Sequence, residues 1–260
     1  MAKYNLKRFS DPNILRAVDS HFLEELLNPH SAYLADRGVT LPLNGRDAPL
    51  KYQSLAQLLT APDEKMPREL IDALYYIHEM ATPTKTEMLL SAAKARGIRF
   101  DTFLEVTPAE VALKMWLRDP QTVERVHAEM AVRRFRAFDY FQPQSRKVPH
   151  LPPELPARLR AFETDLNNCF EERGCGRYVR IHLDEQDDSV WLYIGHGEML
   201  RREAAIENEA PTSVCYRPEV YDALVFIRLT GELGIRARRV WQVGLYRQLF
   251  GKHVFDDEQL

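Results

Sequence analysis

Tyr178-Val179-Arg180-Ile181-His182-Leu183-Asp184 and Val190-Trp191-Leu192-Tyr193-Ile194 are the stretches on which the reading of this chain turns. Polar and apolar side chains alternate through the first, and residues of opposite facing alternate through the second. This period of two belongs to strands with one covered face. Asp184-Glu185-Gln186-Asp187-Asp188 lies between them, so the two stretches predict a hairpin. A second pair, Val220 to Leu229 and Glu232 to Val240, flanks Thr230-Gly231. Tyr246, Leu249 and Phe250 then close the chain on a short helix. Ahead of the strands, Leu159, Phe162, Leu166 and Phe170 stripe one face of a helix over about 157–173, which Gly174-Cys175-Gly176 ends. Residues 150–260 are therefore expected to form an α+β domain with a mostly antiparallel sheet and flanking helices. The chain's end at Asp256-Asp257-Glu258-Gln259-Leu260, soon after these elements, fits a longer parent protein in which another strand follows.

Upstream the period changes to that of helices. Ser10-Asp11-Pro12 is a helix start, a polar cap before a proline of the first turn. Leu23, Leu26 and Leu27 follow at helical spacing, and residues 40–50 read as a loop around Pro42, Asn44-Gly45 and Pro49. Leu70, Ala73, Leu74 and Ile77 make the stripe of a helix over about 67–80. Thr82-Pro83 opens the next, which runs to Gly97, and Thr107-Pro108 opens another carrying Val111, Leu113, Met115 and Trp116. Asp119-Pro120 starts a longer helix expected to reach Phe138. Residues 1–149 thus read as an all-helical domain. Four prolines fall within 149–156, where no helix continues, and the domain boundary is expected there, with a helical domain over 1–149 and the α+β domain over 150–260.

The composition excludes several classes. The chain of 260 residues has 45% apolar and 28% charged residues and a formal charge of −3, which is neither a disordered chain nor a basic nucleic-acid coat. No apolar run approaches the ~18 residues of a membrane span, and no secretory leader follows the basic start, so no membrane partner is expected. The three cysteines, Cys169, Cys175 and Cys215, form no disulfide framework or zinc-ligand spacing, and a cytoplasmic protein without metal or other cofactor is the expectation. GxxxxGK[ST], GxGxxG before a helix, HExxH and GxSxG are all absent from the sequence. Residues 1–149 carry 21 Lys and Arg against 19 Asp and Glu, so any nucleic-acid surface must be a local stripe.

Two such places stand out. Arg133-Arg134-Phe135-Arg136, followed by Arg146-Lys147, mixes guanidiniums with aromatic rings, and Arg236, Arg238 and Arg239 form a second group. Guanidiniums suit phosphates by paired hydrogen bonds and rings stack on bases, so these eight residues are the candidate nucleic-acid contacts. Taken alone, the first group reads first as a solvated helix face, with Phe135 and Phe138 turned to the core and the arginines to water. The other site-like spot is Gly195-His196-Gly197-Glu198, then Arg201-Arg202-Glu203. A histidine at a glycine-flanked strand end suits a general base or a phosphate contact, with Arg201 or Arg202 holding an anion and Glu203 orienting the ring. The structural reading is an exposed hairpin corner whose glycines have positive φ.

The hairpin from Tyr221-Asp222 through Thr230-Gly231 to Arg236-Ala237-Arg238 resembles the active-site hairpin of the PD-(D/E)xK nuclease superfamily. An acid enters one strand, and two polar residues flank a small one on the next. The resemblance covers only this hairpin and the helix at 157–173. It implies Asp222 as a catalytic carboxylate. Where that family places a carboxylate and a lysine for the cation, this chain has Arg236 and Arg238, which cannot ligate a metal. The candidate catalytic set is thus His196, Arg202, Glu203 and Asp222.

These observations favour a non-enzymatic interaction or scaffold component of a multi-protein or nucleic-acid-associated assembly. A protein partner is expected, and nucleic acid is the further candidate. The alternatives are a phosphodiester hydrolase built on the His196 turn and a DNA-binding regulator whose second domain senses a ligand.

Overall fold

A computed structural model of the chain describes residues 6–45, 48–100, 106–133, 137–142, 148–207 and 210–257. The fold is α+β, with helices concentrated in the N-terminal half and a mostly antiparallel sheet in the second. The chain forms two compact units, Met1–His127 and Ala128–Leu260. The division falls inside a helix, upstream of the proline-rich stretch expected to be the boundary.

The first unit is built from α1 (Lys7–Ser10), α2 (Pro12–Ala17), α3 (Ser20–Leu27), α4 (Ser31–Ala35), α5 (Ala48–Thr60), α6 (Arg68–Met80), α7 (Pro83–Ala95), α8 (Pro108–Arg118) and the start of α9 (Pro120–Val132). The starts follow the sequence signals. The Asp11 carboxylate accepts the Asn13 N–H at 2.8 Å, Thr107 Oγ1 accepts from Glu110 N, and the Asp119 carboxylate takes the N–H and hydroxyl of Thr122. Each satisfies a donor that the first helical turn leaves open. Leu15, Leu27, Leu55, Leu74, Leu89 and Leu113 are fully buried in one core. α5 was not foreseen: Pro49 sits in its first turn, where proline is tolerated, and Tyr52, Leu55, Ala56 and Leu59 supply its buried face.

His127, the last residue of this unit, lies edge-on to the rings of Tyr75 and Tyr76, with centroids 5.6 and 5.3 Å away. Burial lowers its pKa to about 4, helped by Lys85 and opposed by Glu79. The imidazole is therefore neutral in the folded unit at pH 6, while the unfolded chain takes up a proton below its ordinary value of about 6.5. Stability is lost as pH falls from that value towards 4, at about 1.4 kcal/mol per pH unit in the middle of the window. In urea unfolding between pH 7 and pH 4.5, His127→Phe is expected to flatten the pH dependence by about one proton. An unchanged slope would contradict this account.

The second unit contains β1 (Asp139–Phe141), α10 (Leu155–Glu172), β2 (Val179–Glu185), β3 (Ser189–Gly197), β4 (Arg201–Glu207), β5 (Ala210–Tyr216), β6 (Glu219–Ile227), β7 (Leu233–Arg236) and α11 (Val240–Phe250). Five strands form one antiparallel sheet in the order β1-β7-β6-β3-β2. The helix expected to reach Phe138 stops at Val132, and Asp139–Phe141 pairs instead with β7. Leu159, Phe162, Leu166 and Phe170 of α10 pack with Val190, Leu192, Ile194, Leu224 and Phe226 of the sheet and with Tyr246 and Phe250 of α11. Alternation turns Tyr193, Tyr221 and Ala223 to the other face, where Ala128 and Val132 at the end of α9 cover them. Gly174, at φ 75°, ends α10 and lets Cys175 N–H reach back to the Phe170 carbonyl at 2.9 Å.

β4 and β5, also unforeseen, pair among the described residues only with each other. They continue β3 and β6 past Gly197 and Glu219 as a two-stranded ribbon, across a root where Glu198 N–H donates to the Pro218 carbonyl at 2.8 Å. No described residue of the ribbon is buried.

Candidate functional site

His196 is the fourth residue of the alternating set Val190, Leu192, Ile194, His196, so it points to the helix-covered face of the sheet. There its ring lies 4.4 Å, centre to centre, from that of Phe170. In the β3–β6 register Ile194 faces Asp222, which makes Asp222 the diagonal neighbour of His196 on the same face. His196 Nε2 lies 2.9 Å from Asp222 Oδ2. The first turns of α11 bring Gln242 and Tyr246, four residues apart, to the same point. The Tyr246 hydroxyl donates to Asp222 Oδ2 at 2.9 Å, and the Arg238 backbone N–H donates to Oδ1 at 3.1 Å. Gln242 Nε2 is 3.4 Å from His196 Nε2, and its side-chain oxygen accepts the Arg239 N–H at 2.7 Å. His196 is 1% exposed, Asp222 and Tyr246 0% and Gln242 2%. Burial, with the adjacent Asp222 adding to it, pushes the Tyr246 phenol well above its usual pKa, so it remains a donor.

Chemically this is a closed network. A general base needs one ring nitrogen turned towards its substrate. Here Nε2 faces the Asp222 carboxylate, and Nδ1 lies 3.0 Å from the Gly197 carbonyl. The concavity beside the ring, bordered by Cys175, Glu198, Arg238, Arg239 and Trp241, has a volume of about 20 Å³. That is room for about one water molecule. The network joins β3, β6, the segment after β7 and α11 through a single carboxylate.

The structure therefore brings together His196 and Asp222 from the expected catalytic set and leaves the other two elsewhere. Arg202 and Glu203 stand on β4, in the ribbon, opposite Cys215 and Val214. The Glu203 carboxylate accepts the Tyr216 hydroxyl at 2.8 Å. The exposed hairpin corner is corrected too: His196 is inside a strand, and neither Gly195 nor Gly197 has a positive φ. Gly197 is required for another reason, since a Cβ there would lie 2.5 Å from the Cys175 carbonyl oxygen.

The candidate nucleic-acid residues separate into two places. Arg133 pairs with Glu129 one helical turn back, at 2.7 Å. It borders a cavity of about 310 Å³ on the other sheet face, with Phe138, Trp191 and Tyr193. Arg134, Arg136, Arg146 and Lys147 lie outside the described residues. Arg236 Nη1 donates to the Ala237 carbonyl at 3.2 Å, Arg238 Nη1 is 3.8 Å from Glu198 Oε1, and Arg239 borders the small concavity. From Trp191 to Gly197 along β3 is about 20 Å at the rise of a strand, so the two places are distinct.

The hairpin likened to a nuclease core exists as the β6–β7 pair, with Arg236 opposite Ala223. Among the described residues no three His, Cys, Asp or Glu side chains gather as a metal site requires. Sequence reasoning missed Tyr246 and Gln242 as partners of Asp222. Their spacing of four was readable, but nothing in the sequence says which strand α11 covers. No helix among the described residues is long and apolar enough to cross a membrane. Comparison with protein-family models, with curated proteins and with solved structures finds no match for this chain.

Proposed function

We propose that the protein is a non-enzymatic interaction component of a multi-protein or nucleic-acid-associated assembly. The observation that carries this reading is the β4–β5 ribbon. Ile206 is 81% exposed and Val214 51%, and Met199 and Leu200 at its root are exposed as well. A two-stranded ribbon with neither face covered is marginal in water by itself, and exposed apolar side chains on it suit a partner's surface. The closed His196–Asp222–Tyr246 network supports the same reading, because its polar groups are spent on one another.

The test is the double variant Ile206→Glu/Val214→Glu, purified from its native source after nuclease treatment. The chains that accompany the wild type are expected to be lost, while the circular dichroism is unchanged. The hydrolase reading has one observation in its favour, the 2.9 Å contact of His196 with Asp222. A Mg²⁺-dependent phosphodiester cleavage that disappears in both folded His196→Ala and folded Asp222→Asn would replace the interaction reading with it.

A further inference from the structure

We propose that the end of the second unit around the start of α11 binds the phosphodiester backbone of a nucleic acid, without reading its sequence. This deepens the interaction reading by naming one partner, and rests on it.

Arginines from four separate segments converge there. Arg173, just past the end of α10, lies over the Trp241 ring, 4.4 Å from its centre. Arg217, at the root of the ribbon, lies along the backbone of Gly176, where a Cβ would come within 2.9 Å of its Cδ. Arg238 and Arg239 border the small concavity directly before α11. Arg201 and Arg238 hold Glu198 between them. A Cβ on Gly197 would lie 2.5 Å from the Cys175 carbonyl oxygen and 3.5 Å from Arg217 Cβ, and Cys175, Glu198, Arg239 and Trp241 border one concavity, so these groups share one neighbourhood.

The set consists of guanidiniums without a lysine. Guanidiniums form paired hydrogen bonds with phosphate oxygens and are weakly hydrated, so they are suited to phosphate contacts. The N-terminus of α11, a helix of 11 residues, points its positive end into the same group. Five arginines, Arg173, Arg201, Arg217, Arg238 and Arg239, stand against two carboxylates, Glu198 and Asp222, so the sum of charge is positive. Asp222 takes part as a positioning residue: its hydrogen bond to Arg238 N–H fixes the segment that carries two of the arginines. Guanidinium forks from several segments fit phosphate oxygens wherever a strand passes, so the inferred contact is with the backbone.

The experiment measures fluorescence anisotropy of labelled single-stranded and duplex oligonucleotides of about 20 nucleotides, with the full chain at increasing salt. Salt-sensitive binding is expected to both. Arg217→Ala/Arg239→Ala should weaken it at least about ten-fold at low salt and lower the log–log salt slope by about two, one for each phosphate no longer held. Arg160→Ala, on the exposed face of α10, should leave both unchanged. Unlabelled polyglutamate of matched charge should compete poorly. No salt-sensitive binding, a double variant that binds as the wild type does, or equal competition by polyglutamate would each overturn the proposal. The last would assign the arginines to an acidic protein. The ribbon test separates the two readings: the wild type can fail to bind oligonucleotides and still retain the partner chains that Ile206→Glu/Val214→Glu loses.

Discussion

Asp222→Ala is expected to destabilise the second unit by about 4 kcal/mol, because removing the shared acceptor of a buried hydrogen-bonded network leaves several enclosed polar groups unsatisfied, at about 1–3 kcal/mol each. Three donors converge on this carboxylate: the His196 ring, the Tyr246 hydroxyl and the Arg238 N–H. All would remain enclosed, and the segment between β7 and α11 would lose its tie to the sheet. Tyr246→Phe removes one neutral donor and should cost only about 1 kcal/mol. The double variant should cost less than the sum of the singles, since the phenol has no acceptor once the carboxylate is gone. Urea unfolding followed by tryptophan fluorescence reads all three. A cost below about 1 kcal/mol for Asp222→Ala would mean that the network is not closed as described.

Gly197→Val is expected to be of similar size, about 3 kcal/mol or more, as for the insertion of atoms into a filled space. The obstacle is the Cys175 carbonyl oxygen, 2.5 Å from the position of the new Cβ. Backbone held by the Gly174 turn cannot yield as a flexible side chain does. Gly195→Ala provides the contrast: its Cβ would meet the Tyr221 ring at 3.1 Å, and a ring edge can move by the few tenths of an ångström required. Thermal unfolding of the two variants should place Gly197→Val far below Gly195→Ala. The reverse order would refute the close-approach explanation.

Much of the site's local structure was legible in the residues. The alternation through 178–194 placed β2 and β3, and Leu159, Phe162, Leu166 and Phe170 placed α10, because burying one face imposes a period that the order of residues displays. Glycines 195 and 197 were noticed for the wrong reason. Conformational freedom is a local property and was the only one available to a reader of sequence, whereas the close approach of Cys175 is made by a distant turn. The ribbon was hidden for a related cause: Arg201–Glu207 and Ala210–Tyr216 bury neither face, so no alternation marks them. α5 was hidden by Pro49, a residue read as a loop signal that serves as a first-turn proline.

By itself the sequence determined the α+β class, the order of helices before strands, the caps at Asp11, Thr107 and Asp119, and His196 and Asp222 as notable residues. Those depend on periodicity and on contacts within a few residues. Only the tertiary structure decided that His196 and Asp222 meet, 26 positions apart, while Arg202 and Glu203, six and seven residues past His196, stay outside the pair. It also decided that Arg173, over Trp241, and Arg217, beside Gly197, come to the concavity that Arg239 borders. The reason is strand register together with the placement of α11 over the sheet: both are set by how apolar faces fit across the whole unit, a collective property that no short stretch of residues carries.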